Sequence, residues 1–208
     1  MSNTTNRTTM NPYEYLIKQL GLLIGFLDVS EIAVYNQIKN HDQYNLGMTI
    51  EQLYDNSYAN YQNHICCSAV LLGFSHIEDF VSKCIERYLV ANPEKNEFKV
   101  TFTIIKQRGD KLIDHMAQEK SKQMLFSEKI KFLEKHFIWN DPQLLDSLKV
   151  MSKIRNCLMH NNGFADNRLT PKYKQGERIT LSSLEANSFG LKAREFARSL
   201  WDQIQIPM

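Results

Sequence analysis

KVMSKIRNCLMHNNG, residues 149–163, reads as the end of a helix together with its stop signal. Asn161, Asn162 and Gly163 accept the left-handed backbone that ends helices, and the residues before them keep a helical apolar period. At about 100° per residue, Leu144, Leu148, Met151 and Leu158 fall on one stripe, and Arg155 falls on it with them. A cation in an aliphatic stripe is unfavourable unless it is paired or the site is open. Asn156 and His160 are four apart, so they project from one neighbouring face, a turn from each other. The helix end is therefore expected to gather a fixed cation, an amide and an imidazole. An Arg and a His that merely cap carbonyls, or an Arg that snorkels to solvent, would give the same pattern.

Working upstream, Trp139-Asn140-Asp141-Pro142 is a turn feeding this helix. Before it a helix is expected over 127–137, with Ser127 as N-cap and Ile130, Leu133 and Phe137 inward, and another over 108–118. Phe98, Val100, Phe102 and Ile104 alternate, which suits a short extended piece, and a helix starting at Val100 is the other reading. The longest helix is expected from a Thr49 cap to Ala91, with Cys66, Val70, Phe74, Ile77, Val81, Cys84, Ile85 and Tyr88 on one broad apolar face, stopped by Asn92-Pro93. It is the expected central scaffold. Residues 41–47 are a polar connection. Tyr13, Leu16, Ile17, Leu20, Ile24 and Leu27 mark a first helix from Pro12, which either continues to about Lys39, with Ile32, Tyr35 and Ile38 inward, or kinks near Ser30. Residues 1–10 are expected to form a disordered arm.

Downstream, residues 164–177 lose the period and form a long loop rich in polar and basic side chains. Ile179, Leu181 and Leu184 suit a short extended segment. A terminal helix is expected over 190–205, packed through Leu191, Phe196, Leu200, Trp201 and Ile204. Residues 11–208 thus read as a single all-α domain, an antiparallel helical bundle.

The net charge of +2 over 208 residues does not by itself announce a nucleic-acid binder. Locally, Lys153, Arg155, Arg168, Lys172, Lys174 and Arg178 are interrupted only by Asp166 and Glu177, which places basic residues on and just after the helix end. Cys66, Cys67, Cys84 and Cys157 have no metal-ligand or disulfide spacing and are expected to be reduced core thiols; no metal or other cofactor is expected. The N-terminus lacks an apolar leader, and the apolar run 16–29 contains Lys18 and is too short to span a bilayer. A cytoplasmic protein with no membrane partner is the expectation.

The string Arg155-Asn156-Cys157-Leu158-Met159-His160 resembles the R-x-x-x-x-H signature of HEPN-domain ribonucleases, in which a polar residue, often Asn, follows the Arg. The match covers about fifteen residues, and the helical surroundings extend it weakly over most of the chain. The resemblance implies an HEPN-like bundle, a homodimer in which two such motifs form one cleft, and metal-independent cleavage of RNA by its own 2′-hydroxyl. It implies His160 as general acid or base, Arg155 on the phosphate, and Asn156 orienting one or the other. Lys153, Asn161, Arg168, Lys172 and Lys174 are the candidate substrate contacts. Glu78, on the scaffold helix, would orient Arg155 by an ion pair. The family's association with toxins, phage defence and stress responses implies an antitoxin or regulatory partner. A non-catalytic dimeric module that binds RNA, a nucleotide or a protein is the competing reading, and a purely structural helical protein is the third.

Overall fold

Six α-helices make up most of the residues that this computed structural model describes, which are 11–39, 59–95, 111–169 and 171–205. In chain order they are α1 (Pro12–Lys39), α2 (Ala59–Ala91), α3 (Leu112–Gln123), α4 (Phe126–His136), α5 (Pro142–His160) and α6 (Ser183–Gln205). The described residues contain no strand, only an isolated antiparallel bridge between Phe164 and Arg178, so the protein is all-α as its periodicity predicts. The expected arm 1–10, the 41–47 connection, the Thr49 cap, the alternating 98–104 stretch and the helix start at Arg108 lie outside the described residues.

α2 packs against all five other helices, and every residue assigned to its apolar face, Cys66 through Tyr88, is buried. Within Gln62–Ala91 an 18-residue window reaches a mean hydropathy of 1.4, long and apolar enough to cross a membrane on composition alone. Half of that window is buried inside the bundle, and a helix that must meet partners on most of its circumference needs such a composition.

α1 runs unbroken through Ser30 and buries Leu16, Leu20 and Leu27. Ile32, expected inward, is 61% exposed. α6 begins at Ser183, well before the expected start at Gly190. Ser182 supplies the start signal: its Oγ accepts from Glu185 N (3.2 Å), while Glu185 Oε2 accepts from Ser182 N (2.9 Å), a reciprocal capping box. Gly190 lies inside the helix, where α1 comes close. A Cβ at Gly190 would stand 3.4 Å from Ile24 Cδ1, a van der Waals contact with the end of a flexible side chain. The earlier start also turns Leu184 and Leu191 outward, at 81% and 55% exposure, against the expected extended segment and packing role.

α4 likewise begins one turn position ahead of its expected cap. Ser127 lies within the helix, and the chain enters at Leu125, whose N–H donates to Glu128 Oε2 (2.7 Å). The carboxylate reaching back satisfies a donor that Ser127, already helical, does not serve. α3 ends at Gln123 rather than near Gln118. α5 starts as its turn sequence predicts: Asp141 Oδ1 accepts from Gln143 N (2.9 Å), and Pro142 takes the first helical position.

Candidate functional site

The buried side of α5 rotates along its length, and that rotation positions Arg155. The first half buries Leu144, Leu145 and Leu148; the second buries Ile154 and Cys157, with Met151 and Leu158 half-buried. Arg155 continues the first stripe past the point where the core beneath it ends, so it is half-buried and faces a cleft instead of aliphatic packing. The cleft has a volume of about 410 Å³ and is walled by Phe74 and Glu78 of α2, the corner between α3 and α4, and Arg155 and Asn156 of α5. Arg155 Nη1 donates to Asn156 Oδ1 at 3.0 Å, which holds the two side chains together.

Glu78 shares the cleft but does not pair with Arg155. Its nearest cation among the described residues is Lys129 of α4, whose Nζ stands 3.8 Å from Glu78 Oε1 and donates to Ser82 Oγ at 2.8 Å. The expected Glu78–Arg155 ion pair gives way because Lys129 is buried and has the greater need of a carboxylate. Burial pushes the Lys129 pKa down, opposed by Glu78 and then by Asp79. Lys129 is the site residue that sequence reading missed. One signal for it existed: it lies four residues before Leu133, on that helix's apolar stripe, as Arg155 lies on its own.

His160 is the last residue of α5, one turn beyond Asn156; it is exposed and does not line the cleft. Beyond it Asn161 N and Gly163 N both donate to Cys157 O, at 3.0 and 3.1 Å, and Asn162 and Gly163 take positive φ of 52° and 82°. The chain then folds back on the helix end: Ile179 N donates to Gly163 O and Ala165 N to Glu177 O, both at 2.8 Å. Asn63 of α2 anchors the return by accepting from Leu181 N (2.8 Å).

The candidate basic contacts are dispersed. Lys153 is exposed on α5, and Lys174 is exposed at the loop tip. Asn161 Nδ2 donates to Asp166 Oδ2 at 3.4 Å. Arg168 is engaged by Asp166 through Nε (2.8 Å) and Nη2. Lys172 pairs with Glu185 at 2.8 Å and borders a different groove, between α5 and α6. Arg168 and Lys172 thus tie the loop down through exposed ion pairs, while Lys153 and Lys174 stay open to solvent.

Arg168, and the N–H it adds, hold the Asp166 carboxyl down to about 2 from its ordinary 3.8. A depressed carboxylate stabilises the folded state above its unfolded pKa, and that contribution fades as pH falls from about 4 towards about 2. Carboxyl NMR titration is expected to place the Asp166 midpoint at the low end of that window and to show the Arg168 amide shifting with it. In Asp166→Asn the Arg168 shift should vanish, and a midpoint near 4 would disprove the pairing.

Burial pushes the Cys157 thiol up, so the cysteine inside the motif is no ready nucleophile, and all four cysteines are buried and in the thiol form, with no disulfide among them. Among the described residues no group of three His, Cys, Asp or Glu side chains could hold a metal ion. No family model matches the chain, and no curated protein or solved structure is significantly similar to it.

Proposed function

We infer that this protein is a metal-independent endoribonuclease of HEPN type, acting as a cytoplasmic homodimer in toxin, phage-defence or stress biology under an antitoxin or regulatory partner. The 2′-oxygen of RNA attacks the adjacent phosphorus and the P–O5′ bond breaks. The 2′-hydroxyl proton goes to a base, and a proton reaches the departing O5′, leaving a 2′,3′-cyclic phosphate and a 5′-hydroxyl. His160 moves protons, Arg155 neutralises the phosphate and Asn156 holds Arg155 in line.

The observation that carries this reading is the Arg155–Asn156 pair facing an open cleft near the end of the helix that terminates in an exposed His160. Within one chain the imidazole lies outside that cleft, so a twofold partner supplies the second half of the site. Met159 and Phe164, exposed apolar residues beside His160, suit the contact between the two copies. The same separation of His160 from the cleft favours the second reading, a non-catalytic dimeric module that holds RNA, a nucleotide or a protein through Arg155.

Incubating the purified protein with single-stranded RNA in EDTA and analysing the product ends tests the choice. Cyclic phosphate and 5′-hydroxyl ends are expected. Products with 5′-phosphates, or cleavage only with added divalent metal, would overturn the mechanism, and intact RNA would leave the binding module standing.

A further inference from the structure

We propose that the cleft between α2, the α3–α4 corner and α5 is a nucleotide subsite for single-stranded RNA, in which Lys129 and Arg155 clamp one phosphate and the Met124–Phe126 rim seats the neighbouring base. This deepens the ribonuclease reading and rests on it for the choice of RNA as the source of the phosphate.

The charge balance of the walls comes first. Lys122, Lys129 and Arg155 line the cleft with the single carboxylate of Glu78; Lys122 pairs with Glu119 at 3.7 Å, so Lys129 and Arg155 against Glu78 leave a net positive site. Low-dielectric walls concentrate such a field, and it selects for an anion. The two deeper cations are also incompletely satisfied. Lys129 has a side chain only 6% exposed, with one close partner in Ser82 Oγ and a looser one in Glu78 Oε1. An ammonium withdrawn that far from water is unfavourable until its remaining donors are met. Arg155 is fixed through Nη1 by Asn156, and no carboxylate pairs with it among the described residues. A guanidinium carries five N–H donors in a planar fork that fits two phosphate oxygens, so most of its recognition capacity is still unspent. Burial works against the charge on Lys129, and a bound phosphate would work for it.

The corner between α3 and α4 adds an apolar stretch to the lining, Met124–Phe126, between the polar Gln123 and Ser127. Leu125 is 69% exposed at the corner between α3 and α4, with Met124 and Phe126 half-buried on either side. Phe126 meets the buried Phe74 edge-on, with ring centroids 4.7 Å apart, so this wall has a firm aromatic backing. Such a surface suits the face of a base and gives no sequence preference, because every base has one. A volume of about 410 Å³ lies within the range of small-molecule sites and admits a nucleotide-sized group.

The test is equilibrium binding of a fluorescein-labelled single-stranded RNA in EDTA, with every protein carrying His160→Ala so that the RNA survives. An abasic oligomer of equal length, inorganic phosphate and a mononucleotide serve as competitors. Lys129→Met is expected to weaken RNA binding about tenfold or more, and to flatten the salt dependence by about 0.7 in log K against log salt, the signature of one lost phosphate contact. Lys129→Arg should retain most of the affinity. Leu125→Ser should weaken RNA but not the abasic oligomer. Should Lys129→Met fail to fold, Arg155→Met, which gives up one side-chain hydrogen bond to its own neighbour, carries the same salt-slope test. Unchanged affinity and slope in a folded Lys129→Met or Arg155→Met protein would overturn the proposal, as would RNA bound no better than inorganic phosphate. RNA that binds with this Lys129 dependence but is never cut by the wild-type protein would keep the subsite and remove the ribonuclease. Cleavage by the wild-type protein with Lys129→Met binding unchanged would do the reverse.

Discussion

Arg155→Ala is expected to lower RNA cleavage by about 10²- to 10³-fold, the usual consequence of removing one preorganised donor from a developing oxyanion. His160→Ala should cost about 10²- to 10⁴-fold through loss of positioned proton transfer. Neither change should matter much to stability. Arg155 is half-buried with one side-chain hydrogen bond, to its own neighbour, and His160 is exposed at a helix end. Melting temperatures within a few degrees of wild type would therefore separate a chemical defect from a folding one. The stronger version of the experiment uses both variants together. If the working cleft draws on two chains, an Arg155→Ala chain still brings His160, and a His160→Ala chain still brings Arg155. Co-expressed and co-purified, they should show cleavage well above that of either variant alone. A mixture no more active than the mean of its parts would mean that the imidazole and guanidinium do not meet across a twofold axis. Full cleavage by either single variant would remove that residue from the mechanism.

What could be read from the sequence, and what could not, divides along a physical line. The scaffold face of α2 was readable because a helix buried along its whole length must repeat apolar residues every three to four positions, and Cys66 through Tyr88 do so. Arg155 was readable as the one charge on an aliphatic stripe. Boundaries depended on which residue won a local competition. Gly190 has the chemistry of a helix boundary but lies inside α6, because the Ser182–Glu185 capping box starts the helix two turns earlier. Ser127 has the chemistry of a cap, yet Glu128 reached Leu125 first. Partner choice was least readable. Glu78 faces Arg155's cleft as its place on the scaffold helix suggests, but it is closer to Lys129, which also takes Ser82, and those contacts join elements 47 and more residues apart. In the basic loop, composition counts cations, whereas only the fold shows which of them stand beside a carboxylate, Arg168 by Asp166 and Lys172 by Glu185.

Trp201→Ala should be among the most damaging single changes to the fold, at about 3–5 kcal/mol. Trp201 is buried where three helices meet: its ring stacks on Tyr13 of α1 (centroids 6.1 Å, planes 10° apart), lies 6.2 Å from Phe80 of α2, and receives the Arg87 guanidinium at 4.8 Å. Truncation removes a large apolar surface, an aromatic stack and a cation–π contact at once. It leaves a cavity that rigid helices on three sides cannot close. For a chain of this size, about 2–4 °C is lost per kcal/mol, so the melting temperature should fall by roughly 6–20 °C. Against a total stability of about 5–15 kcal/mol, that is at least about a fifth of the margin by which the fold holds. Leu184→Ala is the matched control. It lies on the same helix and is also a large apolar residue, but it is exposed to solvent, so its replacement should change stability by no more than about 0.5 kcal/mol. The contrast tests the early start of α6, because only a helix running from Ser183 turns Leu184 outward while keeping Trp201 in the junction. Equal melting temperatures for the two variants would mean that α6 does not pack in this register, with Trp201 in the junction and Leu184 in solvent.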